Sequence, residues 1–171
     1  MRKSGMNAKV LFRPMALEDI ERIVAIEEEA FATPWTAEAF RNELLNNMFA
    51  RYVVMESDDR IIGYGGMWII IDEAHVTNIA IEADRRGKGL GERLMDQLQR
   101  RAVYYGATKM TLEVRASNII AQSLYGKLGF EPSGIRPAYY SDNQEDAIIM
   151  WAELTRDIQN DDEVEAEDQG L

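Results

Sequence analysis

"ADRRGKGLGERL", residues 83–94, sets three cations and three glycines within positions 85–91, directly ahead of an amphipathic run. Glycine admits backbone conformations that other residues resist. The first turn of a helix carries unpaired N–H groups at the positive end of its dipole. Bare backbone, mobile positive charge and a helix start together suit a phosphate. Taken by itself, the same window also reads as a glycine-rich surface turn with solvated cations. Two familiar phosphate loops fail on spacing. The pattern G-x-x-x-x-G-K-[ST] fails because Gly87-Lys88 is followed by Gly89 and position 82 is Glu82. The pattern G-x-G-x-x-G fails because its last glycine would fall on Glu92 or Leu94. What stays is Arg86-x-x-Gly89-x-Gly91 between a strand and a helix.

Working outward, "EAHVTNIAIE" (73–82) predicts the strand that enters the turn, and "GLGERLMDQLQRRAVYYG" (89–106) the helix that leaves it, with Leu90, Leu94, Leu98 and Ala102 in register. Before them, "ARYVVMESDDRIIGYGGMWIII" (50–71) is a hairpin around "SDD". "KVLFRPM" (9–15) opens as a strand, followed by a helix in "LEDIERIVAIEEEAF" (17–31) and a second in "TPWTAEAFRNELL" (33–45) that starts after its N-cap, Thr36. Beyond the turn, "KMTLEVRA" (109–116) alternates as a half-buried strand, and 118–129 is a short helix closed by Gly129. Strands over 130–135 and 146–154 flank the polar loop "RPAYYSDNQE". The order β-α-α-β-β-β-α-β-α-β-β predicts an α/β (α+β) sandwich with a mixed, mostly antiparallel sheet, and not a doubly wound βαβ array.

The chain has 171 residues, of which 46 % are apolar, enough for one domain with a real core. It has no cysteine, which excludes disulfides, thiolate metal sites and a cysteine nucleophile. A single histidine, His75, leaves no material for a His-rich zinc site, so no metal is expected, and His75 itself reads as a strand surface residue. No signal peptide h-region or 18-residue apolar stretch is present, which predicts a soluble, cytoplasmic protein without a membrane partner. The charge of −11 is uneven. From Glu153 onward eight carboxylates face Arg156 alone, a net of −7 that leaves −4 on the rest. The expected organisation is one domain over 1–154 and an acidic, disordered, solubilising tail over 155–171. So acidic a chain is an unexpected partner for nucleic acid.

Three stretches, "NIAIEADRRGKGLGERLM", "LEVRASNIIAQSLYGKLGF" and "IRPAYYSDNQEDAIIMW", together with "EEAFATPWTAEAFRNEL", carry a resemblance to the GNAT superfamily of N-acetyltransferases. Within it they resemble the RimI-like branch, which acetylates the N-terminal alanine of a ribosomal protein. The resemblance covers roughly residues 8–154. It implies acetyl-CoA as co-substrate, no metal, and a pyrophosphate loop made by Arg86, Gly87, Lys88, Gly89, Leu90 and Gly91. Backbone groups of Ile79, Ala80 and Ile81, which read alone as core strand positions, are implied to bind the acetyl and pantetheine parts. Asn118, a helix N-cap on its own reading, is implied to contact coenzyme A as well.

Glu113 faces away from Met110, Leu112 and Val114. Read alone it is a solvated strand carboxylate; the resemblance makes it the general base. Tyr125 reads alone as a core aromatic; the resemblance makes it the acid that protonates the departing thiolate. Phe31, Trp35, Tyr139 and Tyr140 are large aromatics on loops, and the resemblance puts them along the acceptor groove. At pH 7 an α-amine with pKa near ~7.8 needs roughly 1 kcal/mol to lose its proton, against about 4.6 for a lysine near ~10.4. That difference favours an α-amine acceptor; the resemblance implies the N-terminal alanine of a small-subunit ribosomal protein, a basic peptide substrate, and a monomeric enzyme is expected. Transfer to lysine or a small amine, and a non-catalytic acyl-CoA-binding module, are the alternatives.

Overall fold

The structure is a computed structural model that describes residues 9–154. The acidic segment 155–171 and residues 1–8 of the expected domain lie outside the described residues. Strands β1 (Leu11–Pro14), β2 (Ala50–Ser57), β3 (Arg60–Ile70), β4 (Glu73–Ile81), β5 (Lys109–Arg115), β6 (Glu131–Arg136) and β7 (Ala147–Glu153) form one sheet. Helices α1 (Ile20–Ala30), α2 (Ala37–Asn46), α3 (Leu90–Tyr104) and α4 (Ile119–Lys127) flank it. The element order is the one predicted, and the sheet order is β1-β2-β3-β4-β5-β7-β6. Every pairing is antiparallel except β4 with β5.

Alternation along β2 sorts the core onto two faces. Tyr52 and Val54 face α1 and α2, where they meet Ile23, Ile26 and Phe40. Val53 faces α3 with Met95, Leu98 and Ala102. The amphipathic stripes of α1 and α3 thus cover opposite sides of the sheet. Helix α1 begins later than its apolar pattern, because residues 17–19 form a 3₁₀ turn. The Asp19 carboxylate accepts from Ala16 N (2.7 Å) and from Arg13 (2.7 and 2.9 Å) instead of continuing the helical run. Thr36 caps α2 as expected, accepting from Ala39 N at 3.1 Å.

Two hairpin turns use left-handed backbone without glycine. Asp58 and Asp59, at φ 55° and 61°, make the β2–β3 turn, a conformation Asp tolerates. Ile71, at φ 58°, makes the β3–β4 turn, where a β-branched side chain is strained. Its side chain is 91 % exposed, so no burial offsets that strain. Left-handed backbone costs an L residue about 1–2 kcal/mol, and glycine gives back about 0.5–1 through its larger unfolded-state entropy. Ile71→Gly is therefore expected to raise stability by roughly 0.5–1 kcal/mol, read as a higher urea midpoint at unchanged m-value.

The parallel β4–β5 pair is the feature that makes a site. Its register runs only from Glu73↔Lys109 to His75↔Thr111. Immediately beyond, β4 bulges: Gly66 of β3 faces Asn78 and Met67 faces Val76, so Thr77 has no opposite residue. From Val76 on, the β4 edge that faces β5 has no ladder partner.

Candidate active site

A cavity of about 480 Å³ fills the parting of β4 and β5. Val76–Ile79 form one wall and Leu112–Arg115 the other. Helix α4 closes one side with Asn118, Ala121 and Tyr125, and the end of α1 with its following loop closes the opposite side. Tyr139 and Tyr140, from the loop joining β6 to β7, stand at the rim. Of the residues singled out in the sequence, Phe31, Trp35, Ile79, Glu113, Asn118, Tyr125, Tyr139 and Tyr140 all line this one space.

The strand positions divide. Ile79 reaches the cavity, while Ala80 and Ile81 are buried in the cores beneath and do not line it. Beyond them Glu82 ends β4 in a tight cluster. Burial works against its charge, but Arg60 (2.5 and 2.6 Å) and Arg22 (2.5 Å) outweigh it and hold the carboxyl below the usual range. None of the turn residues Arg86, Gly87, Lys88, Gly89, Leu90 and Gly91 lines the cavity. Gly87 and Gly89 are left-handed, at φ 78° and 79°, which is the physical reason for glycine at both positions. Gly89 is the N-cap of the 15-residue α3 and supplies no side-chain cap, so the first N–H groups of that helix stay open to an outside acceptor. Arg86 and Lys88 are exposed beside it, with Arg86 Nε donating to Ile81 O at 2.9 Å. Leu90 offers its backbone alone, since its side chain is buried. Open helix N–H groups flanked by cations fit a pyrophosphate.

Glu113 lies on β5 opposite Ile149 of β7, and its Oε2 accepts from Arg136 Nε at 3.0 Å. Tyr125 packs its ring on Phe130 at 5.8 Å. Its hydroxyl has no protein partner among the described residues, and burial raises its pKa above the usual tyrosine value. Asn118 caps α4 through Ala121 N at 3.1 Å. Gly126 is exposed inside α4, and an added Cβ there would meet nothing, so the helix runs through it unbroken. His75 pairs with Glu73 at 3.0 Å on the sheet and does not line the cavity. Among the described residues no group of His, Asp and Glu side chains is placed to hold a metal ion. None of the helices there is long and apolar enough to cross a membrane.

One residue of the site escapes a reading of the sequence. Glu27 of α1 is 2 % exposed and contributes to the cavity wall. Its carboxylate accepts from Trp35 N (3.0 Å), Asn78 Nδ2 (3.5 Å) and the Tyr64 hydroxyl. It therefore ties the loop after α1 to the bulge of β4. Within "IEEEAF" it looks like one of three solvated glutamates, yet it stands four residues after Ile23 and seven after Ile20, on the buried face. Burial raises its pKa, against the lowering effect of the Trp35 and Asn78 bonds. A raised folded-state pKa means that the folded state holds the proton longer than the unfolded one. Stability from this group falls as pH climbs from the unfolded-chain value, about 4.3, through the raised folded value. Glu27→Gln removes that slope. The stability difference, variant minus parent, is expected to shift in the variant's favour as pH rises through this window, measured by urea unfolding at each pH.

Residues 20–130 match the acetyltransferase (GNAT) family. A Bacillus subtilis protein, provisionally named a ribosomal protein bS18-alanine N-acetyltransferase, is 46 % identical over 149 residues, covering 87 % of this chain and 99 % of that one. A Salmonella typhimurium protein named as that enzyme is 36 % identical over 140 residues, covering 80 % of this chain and 92 % of its own. The crystal structure of the Escherichia coli ribosomal-protein-alanine N-acetyltransferase superposes with a TM-score of 0.80 at 30 % identity, over 89 % of this chain and 98 % of that one.

Proposed function

This chain belongs to the acetyltransferase (GNAT) family, and from that premise we propose that it moves the acetyl group of acetyl-CoA directly onto the N-terminal α-amine of a protein, the N-terminal alanine of ribosomal protein bS18. The observation that carries the reading is the cavity between β4 and β5, which a carboxylate, Glu113, and a half-buried phenol, Tyr125, line from different walls. The names borne by relatives that match this chain over nearly their whole length support the choice of acceptor.

Each part of the site then has work to do. Acetyl-CoA brings an acetyl thioester, whose carbonyl carbon is open to attack by an amine. Gly87, Gly89 and Gly91 with Arg86 and Lys88 hold its pyrophosphate at the start of α3. The unladdered edge of β4 pairs with the amides of the pantetheine arm, and an N–H there polarises the thioester carbonyl. Glu113 takes a proton from the acceptor ammonium, directly or through water. Glu27 is the weaker candidate for that task, because both of its oxygens already accept protein hydrogen bonds. It serves instead to hold the loop after α1 and the bulge of β4 in place. Tyr125 gives its proton to the departing sulfur, and the burial that raises its pKa keeps it protonated until then. Phe31, Trp35, Tyr139 and Tyr140 bound the path by which a peptide N-terminus enters.

The test is direct. The protein is incubated with acetyl-CoA and bS18 bearing a free N-terminal alanine, and the product is mapped by fragment mass spectrometry. One acetyl group on the α-nitrogen is expected. Acetyl on lysine side chains alone would overturn the choice of acceptor.

A further inference from the structure

The loop joining β6 to β7, residues 137–146, carries the two aromatics at the rim, yet nothing apolar anchors it. Ser141, Asp142, Asn143 and Gln144 are exposed, and Tyr139 is 50 % exposed. Two of its residues, Ala138 (φ 51°) and Gln144 (φ 60°), are left-handed without being glycine. The loop also concentrates Asp142, Glu145 and Asp146, whose mutual repulsion opposes a compact turn. Hydrogen bonds within the loop, Gln144 N to Tyr140 O (2.8 Å), Tyr140 N to Glu145 O (3.2 Å) and Ala138 N to Asp146 Oδ1 (2.9 Å), fold it back on itself, but it contains no cation, so pairing for its three carboxylates must come from outside.

Arg115, the last residue of β5, supplies it to two of them. Its Nη2 donates to Asp142 Oδ2 at 2.9 Å, and its Nη1 donates to Asn143 Oδ1 at 3.2 Å and to Glu145 Oε1 at 3.3 Å. The flat face of the same guanidinium lies over the Tyr140 ring, 4.0 Å from its centroid. Tyr139 is set edge-on to Tyr140 at 5.1 Å, so fixing one ring fixes the other. The fork satisfies three side chains in its plane while its face carries an aromatic, which an ammonium cannot do. Glu145 passes the restraint on, since its other oxygen accepts from Ser117 N at 2.6 Å in the turn before α4. Arg115 also stands on the same side of β5 as Glu113, two residues along.

We propose that Arg115 is the positioning residue of the acceptor subsite: it shapes the 137–146 loop so that Tyr139 and Tyr140 meet the incoming peptide beside Glu113. The inference rests on the functional reading above. Arg115 need not touch the acceptor; it sets what does.

The distinguishing readout is a split between the two Michaelis constants. With acetyl-CoA and a basic peptide starting in free alanine, Arg115→Ala is expected to raise KM for the peptide roughly tenfold or more, the scale of lost charge-assisted hydrogen bonds. KM for acetyl-CoA should stay within about twofold, because the α3 turn is untouched. Arg115→Lys keeps the charge but neither fork nor face, and should recover only a minor part of the loss. Asp142→Asn with Glu145→Gln cuts the same brace from the loop side and should reproduce the peptide effect, which covers the case of a misfolded Arg115→Ala. An unchanged peptide KM in folded variants would overturn the brace while leaving the functional reading intact. So would peptide and acetyl-CoA constants rising in step. If the unaltered protein fails to acetylate the peptide, the functional reading falls, and the brace with it.

Discussion

Phenylalanine at position 125 is expected to lower kcat by roughly 10²–10⁴-fold, the usual contribution of a general acid, while the protein stays folded and binds acetyl-CoA as before. The ring keeps its packing on Phe130, so the substitution deletes one oxygen and little else. That oxygen has no protein partner among the described residues and belongs to a half-buried side chain that lines the cavity, and burial of the side chain alone accounts for its raised pKa. Removing a hydroxyl that makes no hydrogen bond within the protein leaves stability nearly unchanged. A catalytic role and a packing role therefore predict opposite patterns. If Tyr125 serves catalysis, kcat collapses and the melting temperature does not drop. If it is merely a core aromatic, Tyr125→Phe leaves kcat within a few fold.

The largest expected loss of stability comes from Gly66→Ala. A Cβ on Gly66 would stand 2.1 Å from Cε2 of Tyr52, with Cζ and Cδ2 at 2.5 and 2.6 Å. Tyr52 cannot swing away cheaply. It is buried, its hydroxyl is 2.8 Å from Glu43 Oε1 and 3.1 Å from Thr77 Oγ1, and its ring meets Phe40 edge-on. Relief requires either a shift of β3 or loss of those buried bonds, and about 3 kcal/mol or more is expected. Activity should fall with stability, because the Tyr52 hydroxyl is hydrogen-bonded to Thr77, the bulged β4 residue that lines the cavity. Urea unfolding of the variant checks the first effect, and peptide acetylation below the unfolding range checks the second. A loss under about 1 kcal/mol would show that Tyr52 yields easily.

The frame of the molecule is legible in the sequence because it rests on local periodicity. Alternation in 109–116 and the leucine register of 90–102 follow from side-chain spacing within one element, and the paired elements agree with them. The glycines of the α3 turn are legible for the same reason, since their demand for left-handed backbone is local. Loop aromatics also announce themselves. Phe31, Trp35, Tyr139 and Tyr140 are too large and apolar for their setting, and all four line the cavity.

What stays hidden depends on partners far along the chain. Glu27 looks solvated until Tyr64 and Asn78 are brought to it by β3 and β4. Glu43 in α2 is likewise buried beneath Tyr52 and Trp68, which no helical pattern reveals. Arg115 reads as the outward end of a strand, and its ligands lie 27 to 30 residues later in a polar loop. Ala80 and Ile81 show the limit from the other side. They continue the strand that lines the cavity, but both are buried in the cores on either face of the sheet, and only Val76–Ile79 of β4 line that space.

One mass measurement bears most directly on the whole account. The pure protein is given acetyl-CoA and two basic peptides, one with a free N-terminal alanine and arginine in place of lysine, the other with a blocked N-terminus and a single lysine. Acetylation of the first peptide alone is the result expected of a site in which Glu113 must strip a proton from an α-amine. Acetylation of the second alone would contradict that, and would assign the cavity between β4 and β5 to a different acceptor.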